Sequence, residues 1–141
     1  MKANQVQAVI FDKSSKKFLL IHRCGYFDKK FLWRNVKGTV NEKESDIEAL
    51  RREIKEETNL SRIKINGKIF SYSYLHPKNI KIKVNCYLVY ASENDELKNN
   101  DKKENIDGYK WVDGKTAVDM LFFDEEKEAI NKAMKFMKIS I

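Results

Sequence analysis

Three glutamates, Glu53, Glu56 and Glu57, lie within a turn and a half of one another in the segment LRREIKEETNL, residues 50–60. At about 100° per residue on a helix they occupy an arc about 100° wide, beside an arc of about 60° that holds Ile47, Leu50 and Ile54. The apolar arc is the face such a helix must bury. The carboxylates are therefore expected at the edge of the core, with Arg51 and Lys55 turned to solvent. A solvated helix laced with Glu–Lys pairs would place a base three or four residues from each glutamate, each pair worth ~0.2–0.5 kcal/mol. Only Glu56 has one, Arg52. Glu53 instead opposes Glu57 at i,i+4 and Glu56 at i,i+3, close to a helix C-terminus whose dipole disfavours negative charge. The pattern calls for a positive partner. Basic side chains from another element are one answer; a hard divalent cation, which takes oxygen ligands and in the case of Mg²⁺ joins carboxylates to substrate phosphates, is the other.

The element that carries these groups is well delimited. Ser45-Asp46-Ile47-Glu48 is a capping box that starts a helix, and Asn59 tolerates the left-handed conformation that ends one. Upstream, residues 5–11 (QVQAVIF) and 17–21 (KFLLI) read as a strand hairpin around Asp12-Lys13-Ser14-Ser15. Residues 24–32 read as a loop leading to Trp33 and Gly38. Downstream, residues 63–75 and 80–90 form a second hairpin about His76-Pro77-Lys78-Asn79. The polar stretch 92–105 is a mobile-loop candidate, 106–112 is a last strand, and 115–121 and 125–137 read as helices. In the final helix Ile130, Ala133, Met134 and Met137 make an apolar stripe for the core. Strands joined mostly by hairpins and mixed with helices predict a mixed sheet covered by helices.

Composition sets the frame. A chain of 141 residues, 42% hydrophobic and 35% charged, suits one domain over residues 1–141 that can bury a core. The longest apolar runs fall far short of the ~18–20 residues of a membrane span, and Met1-Lys2-Ala3-Asn4 leads into no signal segment, which points to a cytoplasmic protein with no membrane partner. Cys24 and Cys86 show no metal-site or disulfide spacing and read as reduced thiols. A net charge of +7 favours polyanionic ligands: nucleotides, polyphosphate or RNA.

Reading outward from the glutamates gives Gly38, five residues, Glu44, seven residues, then Arg52-Glu53-Ile54-Lys55-Glu56-Glu57-Thr58-Asn59-Leu60. This resembles the Nudix box, GX5EX7REUXEEXGU, at every fixed position but Asn59, where the family usually has glycine. Trp33 to Gly38 resembles the W-x-x-P-K-G lead-in, with Val36 in place of proline. Glu104 followed by Trp111-Val112 resembles a downstream segment of the family with one more acidic residue. The resemblance implies an α/β/α sandwich with a mixed β-sheet and hydrolysis of a nucleoside diphosphate linked to another moiety. It also implies Mg²⁺ or Mn²⁺ held by Glu53, Glu56, Glu57 and the Gly38 carbonyl. Glu53 or Glu104 would act as the base, and Arg52 with Glu44 would brace the loop and helix.

For the substrate, Lys37, Arg34 and Arg23 are candidate phosphate contacts, and Tyr74, Tyr72 or Phe70 candidate stacking partners for a base. The lead-in without proline resembles members acting on nucleoside or pteridine triphosphates, whereas Lys81-Ile82-Lys83-Val84 with Tyr87-Leu88-Val89 resembles a strand of dinucleoside polyphosphate hydrolases. Cleavage of an RNA 5′ pyrophosphate also fits the basic charge. So does a non-catalytic nucleic-acid-binding module on the same scaffold, although such a module would be expected to have lost one of the three glutamates. A homodimer is compatible with the chain.

Overall fold

The computed structural model describes residues 2–25 and 29–139. In chain order the elements are strands β1 (Lys2–Asp12), β2 (Lys17–Cys24), β3 (Phe31–Arg34) and β4 (Val36–Thr39), helix α1 (Asp46–Thr58), strands β5 (Lys64–His76), β6 (Ile80–Tyr90) and β7 (Ile106–Val112), and helices α2 (Gly114–Met120) and α3 (Asp124–Met137). Among the described residues seven strands form one mixed sheet in the order β3-β2-β1-β6-β5, with β4 also on β1 and β7 also on β2.

Strand β1 organises the sheet. It runs parallel to β6 from Lys2↔Lys81 to Phe11↔Tyr90. On its other edge it pairs with β2 only at Phe11↔Phe18 and Asp12↔Lys17, and with β4 from Gln5↔Thr39 to Ala8↔Val36. The first predicted hairpin is thus real but brief, because β1 changes partner from β2 to β4 along its length. The stretch expected to be a loop, 24–32, already contains the start of β3, whose Phe31 and Leu32 pair with Cys24 and Arg23.

Alternation along β1 feeds two cores. Val6, Ala8 and Ile10 point to one face, where they meet Ala49, Leu50 and Ile54 of α1. Val9 and Phe11 point to the other, against Ala117 of α2 and Ala129, Ile130, Ala133 and Met134 of α3. A period of two in the strand and about 3.6 in the helices makes a three-layer α/β/α stack. Among the described residues no helix is long and apolar enough to cross a membrane, and Cys24 and Cys86 are free thiols.

Both ends of α1 follow from local chemistry. Ser45 Oγ accepts from the Glu48 amide at 3.1 Å while the Glu48 carboxylate accepts from the Ser45 amide at 3.0 Å. Asn59 takes φ 70° and ψ 1°, the left-handed geometry that asparagine bears at small cost. The buried face of the helix, however, is rotated from the expected one. Ile47 is 40% exposed, whereas Ala49, Leu50, Glu53, Ile54, Glu57 and Thr58 are buried. The sheet packs against the side of the helix that carries Ala49, Leu50 and Ile54, which leaves Ile47 outside the core cluster.

The polar stretch 92–105, expected to be mobile, is held at several points. Asp12 accepts from the Glu93 amide at 2.8 Å. The amides of Lys98 and Asn100 donate to the carbonyls of Thr58 and Glu56, and Asn100 Nδ2 donates to the Lys55 carbonyl. The Lys98 and Asn100 amides thus satisfy the Thr58 and Glu56 carbonyls, which the C-terminal turn of α1 would otherwise leave open.

The rotated face gives a direct stability contrast: Ile54→Ala should cost ~2–5 kcal/mol in denaturant unfolding and Ile47→Ala under ~1 kcal/mol, and equal losses would contradict the described packing.

Candidate active site

The site begins at the inner face of α1. Glu57 is 0% exposed and Glu53 8%; both lie inside the seam and not merely at its edge. The Glu53 carboxyl lies against Gly38 of β4 so closely that a Cβ on Gly38 would fall 2.0 Å from the Glu53 carboxyl carbon. A side chain at position 38 would displace the Glu53 carboxyl, so glycine there lets the strand backbone and the carboxyl share one space. Glu56, one step round the helix, is turned outward, with a side chain about one-third exposed.

Two arginines answer the like-charge problem. Arg23 on β2 donates from Nη1 to Glu57 Oε2 at 3.1 Å and to the Lys37 carbonyl at 3.3 Å, and the same nitrogen stands 3.9 Å from Glu104. Burial disfavours the Arg23 charge, but Glu57 and Glu104 outweigh it and raise its pKa. Arg52 acts as a clamp. It donates to both Glu44 oxygens at 2.7 and 2.9 Å, to the Thr39 carbonyl at 2.8 Å and to Glu53 at 2.8 Å, with Glu56 at 3.4 Å. Residue spacing alone gave Glu53 no basic partner, because a helical i,i+4 rule overlooks a long side chain reaching its own neighbour. The hydrogen bonds from Arg52 and from the Asn41 amide pull the Glu44 carboxyl down to about 2.

The seam is nonetheless short of positive charge. Glu57 Oε1 has no hydrogen-bond partner. Burial, with the nearby Glu53 and Glu104 charges, pushes the Glu57 carboxyl up to about 8 against the pull of Arg23. Burial raises Glu53 as well. Among the described residues no three Asp, Glu, His or Cys side chains converge to cage an ion by themselves. The expected trio is thus not brought together as a set: Glu53 and Glu57 share the seam, and Glu56 stands apart because it is set about 100° round the helix from Glu57. An orphaned buried carboxylate oxygen beside a second carboxylate fits a hard cation whose remaining ligands are water and phosphate, the usual arrangement for Mg²⁺.

The seam opens into a two-lobed cleft. One lobe, of about 800 Å³, is lined by Arg23, Lys37, Gly38, Glu53 and Glu104, with Lys29 and Lys103 at its margin. The other, of about 580 Å³, is lined by Tyr72, Tyr74, Phe123, Glu125 and Glu126; Gln5, Arg23, Arg34 and Lys37 border both. Lys37 lies 4.9 Å from the Tyr74 ring centroid, and burial together with the neighbouring Arg34 charge brings its ammonium down to about 8. Of the substrate candidates, Lys37, Arg34, Arg23, Tyr74 and Tyr72 border the cleft and Phe70 does not. Phe70 packs against the α3-side core instead.

Glu126 escaped sequence reasoning. It is 1% exposed and accepts from Arg34 Nε at 2.7 Å and from the Asn35 amide at 2.9 Å. Its signal was its place on the α3 stripe: Glu126 precedes Ala129, Ile130, Ala133 and Met134 at helical spacing, so a carboxylate occupies a core position.

The family model for the NUDIX domain matches residues 1–133. No curated protein sequence matches the chain. Similar solved structures include an Ap4A hydrolase of C. elegans in a binary complex, at TM-score 0.79 and 22% identity over 96% of this chain and 98% of that one. The dihydroneopterin triphosphate pyrophosphohydrolase of E. coli is similar at TM-score 0.77 and 18% identity, over 92% of each chain. The NUDIX domain of Shewanella oneidensis NrtR complexed with ADP ribose is similar at TM-score 0.77 and 18% identity, over 97% of this chain and 89% of that one. At such identities these structures speak for the fold. With the family model spanning nearly the whole chain, the protein belongs to the NUDIX domain family, the hydrolases of nucleoside diphosphate derivatives.

Proposed function

We propose that residues 1–141 act as one catalytic domain that hydrolyses a phosphoric anhydride bond of a nucleoside triphosphate or dinucleoside polyphosphate, with Mg²⁺ or Mn²⁺ as cofactor. The observation that carries this reading is the buried Glu53–Glu57 pair, with its unpartnered Glu57 Oε1, whose Glu53 lines, together with Arg23 and Lys37, a cleft large enough for a nucleotide. A bound divalent cation would supply charge neutralisation for the polyphosphate and a more acidic water. Glu53 and Glu57 would hold it, the Gly38 carbonyl would be a further donor, and Glu56 would join only by swinging away from Arg52.

The chain's own groups account for the rest. Lys37 and Arg23 receive phosphate oxygens and align the anhydride for in-line attack. A water oxygen attacks one phosphorus, its proton passes to a carboxylate, and the bridging P–O bond breaks with its electrons going to the leaving phosphate. Two carboxyls stand close enough to the seam for the proton transfer: Glu104, on the segment that α1 tethers, or Glu53 as an alternative to its role as a cation ligand. Arg52 and Glu44 hold α1 against the Thr39 carbonyl and so fix Glu53 relative to Gly38.

Glu57→Gln should lower kcat/KM at least ~100-fold, since even outer partners of a metal site are worth ~10–100-fold. It should also remove the Mn²⁺-induced rise in Tm of the wild type. Turnover of the purified variant at the wild-type rate would sink the assignment. Gly38→Ala forces the Glu53 carboxyl aside, so it should lose both cation-induced stabilisation and turnover while its circular dichroism stays native. Lys37 carries its charge below about pH 8 and loses it above, whereas Glu57 gains charge over the same range. At saturating cation, KM should therefore climb above pH 8 in the wild type and stay flat in Lys37→Arg; identical profiles would remove Lys37 from phosphate binding.

A further inference from the structure

The aromatic lobe of the cleft holds an arginine prepared in a way that bare phosphate binding does not need. Arg34 is fixed twice. Glu126 accepts from its Nε at 2.7 Å, and its guanidinium carbon lies 4.6 Å from the Phe123 ring centroid. The side chain is about one-eighth exposed, and its Glu126 partner still less. An arginine meant only for polyphosphate gains from an uncompensated charge, such as Lys37 offers where the two lobes meet. Here a buried carboxylate offsets the charge, and the ion pair is close to neutral as a whole. What remains is geometry: a planar fork whose terminal Nη groups have no other ion pair among the described residues. A locked, charge-compensated fork suits two adjacent acceptors in one plane.

The tyrosines complete the lobe. The Tyr72 hydroxyl donates to Gln7 Oε1 at 3.4 Å and the Tyr74 hydroxyl to Gln5 Oε1 at 3.0 Å. Both hydroxyl protons are thereby engaged by the sheet, and the phenolic oxygens are left as acceptors. The two rings lie 6.4 Å apart at 30° and provide flat apolar surface of the kind on which bases stack. Glu125 adds a carboxylate to the same wall. The lobe thus combines a two-pronged donor with acceptors and aromatic faces.

We infer that this lobe binds the nucleobase of the substrate and that Arg34, locked by Glu126 and Phe123, selects guanine over adenine. Guanine presents O6 and N7 as adjacent acceptors matched to the arginine fork, and N1–H and the 2-amino group as donors for Glu125 or the tyrosine oxygens. Adenine places an amino group where O6 stands, so donor would meet donor and a buried Arg34 nitrogen would go unmatched. Arg34 thereby moves from the phosphate contacts, where sequence order had set it, to specificity. The inference rests on the proposed nucleotide-hydrolase reading of the cleft, but its test is separable from turnover.

The experiment is titration calorimetry of the purified protein with GMP and with AMP at millimolar concentrations, without divalent cation, beside hydrolysis assays with GTP and ATP in Mg²⁺. GMP should bind at least ~10-fold more tightly than AMP, the discrimination one bidentate arginine contact provides. In Arg34→Lys, which keeps the charge and loses the fork, the ratio should approach one. Equal affinities in the wild type, no detectable GMP binding, or a ratio that Arg34→Lys leaves intact while weakening both ligands would each overturn the inference. Should Arg34→Lys fail to melt cooperatively, Glu126→Gln serves instead, since it weakens the lock on Arg34 and should also reduce the ratio. GTP and ATP cleaved with equal kcat/KM would leave the hydrolase standing and remove the guanine preference. A GMP preference without any turnover would do the reverse.

Discussion

Glu57 and Arg23 meet at 3.1 Å inside a seam that excludes water, and much of the structure can be understood from what that contact leaves undone. A carboxylate taken out of water loses several kcal/mol of solvation, of the order found for buried ions generally, and one partner bond recovers only part of it. Here one oxygen is paired and the other is not, while Glu53 and Glu104 add repulsion. A helix built for stability alone would bury leucine at that position. The buried acid is the group on which the proposed chemistry rests, and neighbouring elements offset part of its cost.

Those arrangements come from four parts of the chain. The end of β2 provides Arg23, β4 provides a strand without a side chain at Gly38, the segment after β6 closes carbonyls of α1 although its Glu104 adds negative charge, and Arg52 ties α1 to Glu44 and Thr39. They converge because β1 changes partner from β2 to β4, so that residues of both strands face the same turn of α1. The arginines do different work. Arg52 is about a quarter exposed and braces; Arg23 is enclosed and neutralises.

The cleft separates charge from shape. Its first lobe gathers cations and acids around Gly38, and its second is walled by tyrosines, Phe123 and the Arg34–Glu126 pair. Lys37 sits at the junction on the Tyr74 face. A ligand that is polyanionic at one end and flat and aromatic at the other matches this division, and a nucleotide has that form.

How much of this could be read before the fold was known differs from element to element. The capping box at Ser45 and the left-handed Asn59 depend on side chains within a few residues, so both ends of α1 were legible, as were the strand at 106–112 and the stripe of α3. The Nudix box spacing carried the family and, through it, the α/β/α stack. Burial of Ile47 was misjudged because helical periodicity ranks faces by their own composition, whereas the sheet decides which one is covered. The brief β1–β2 pairing and the early start of β3 escaped for a similar reason, since strand partners are chosen across long sequence separations.

The sequence by itself determined which groups the candidate site is built from: the glutamates, their arginine neighbour at 52, the glycine at 38 and the basic residues before it. It did so because their spacing is local and chemically unusual. Only the tertiary structure decided that Arg23 would be the counter-ion of Glu57, that Glu56 would stand outside the seam, and that Glu126 would hold Arg34 from 92 residues away. Electrostatic pairing acts through space, and distances in space are set by how the sheet is wound.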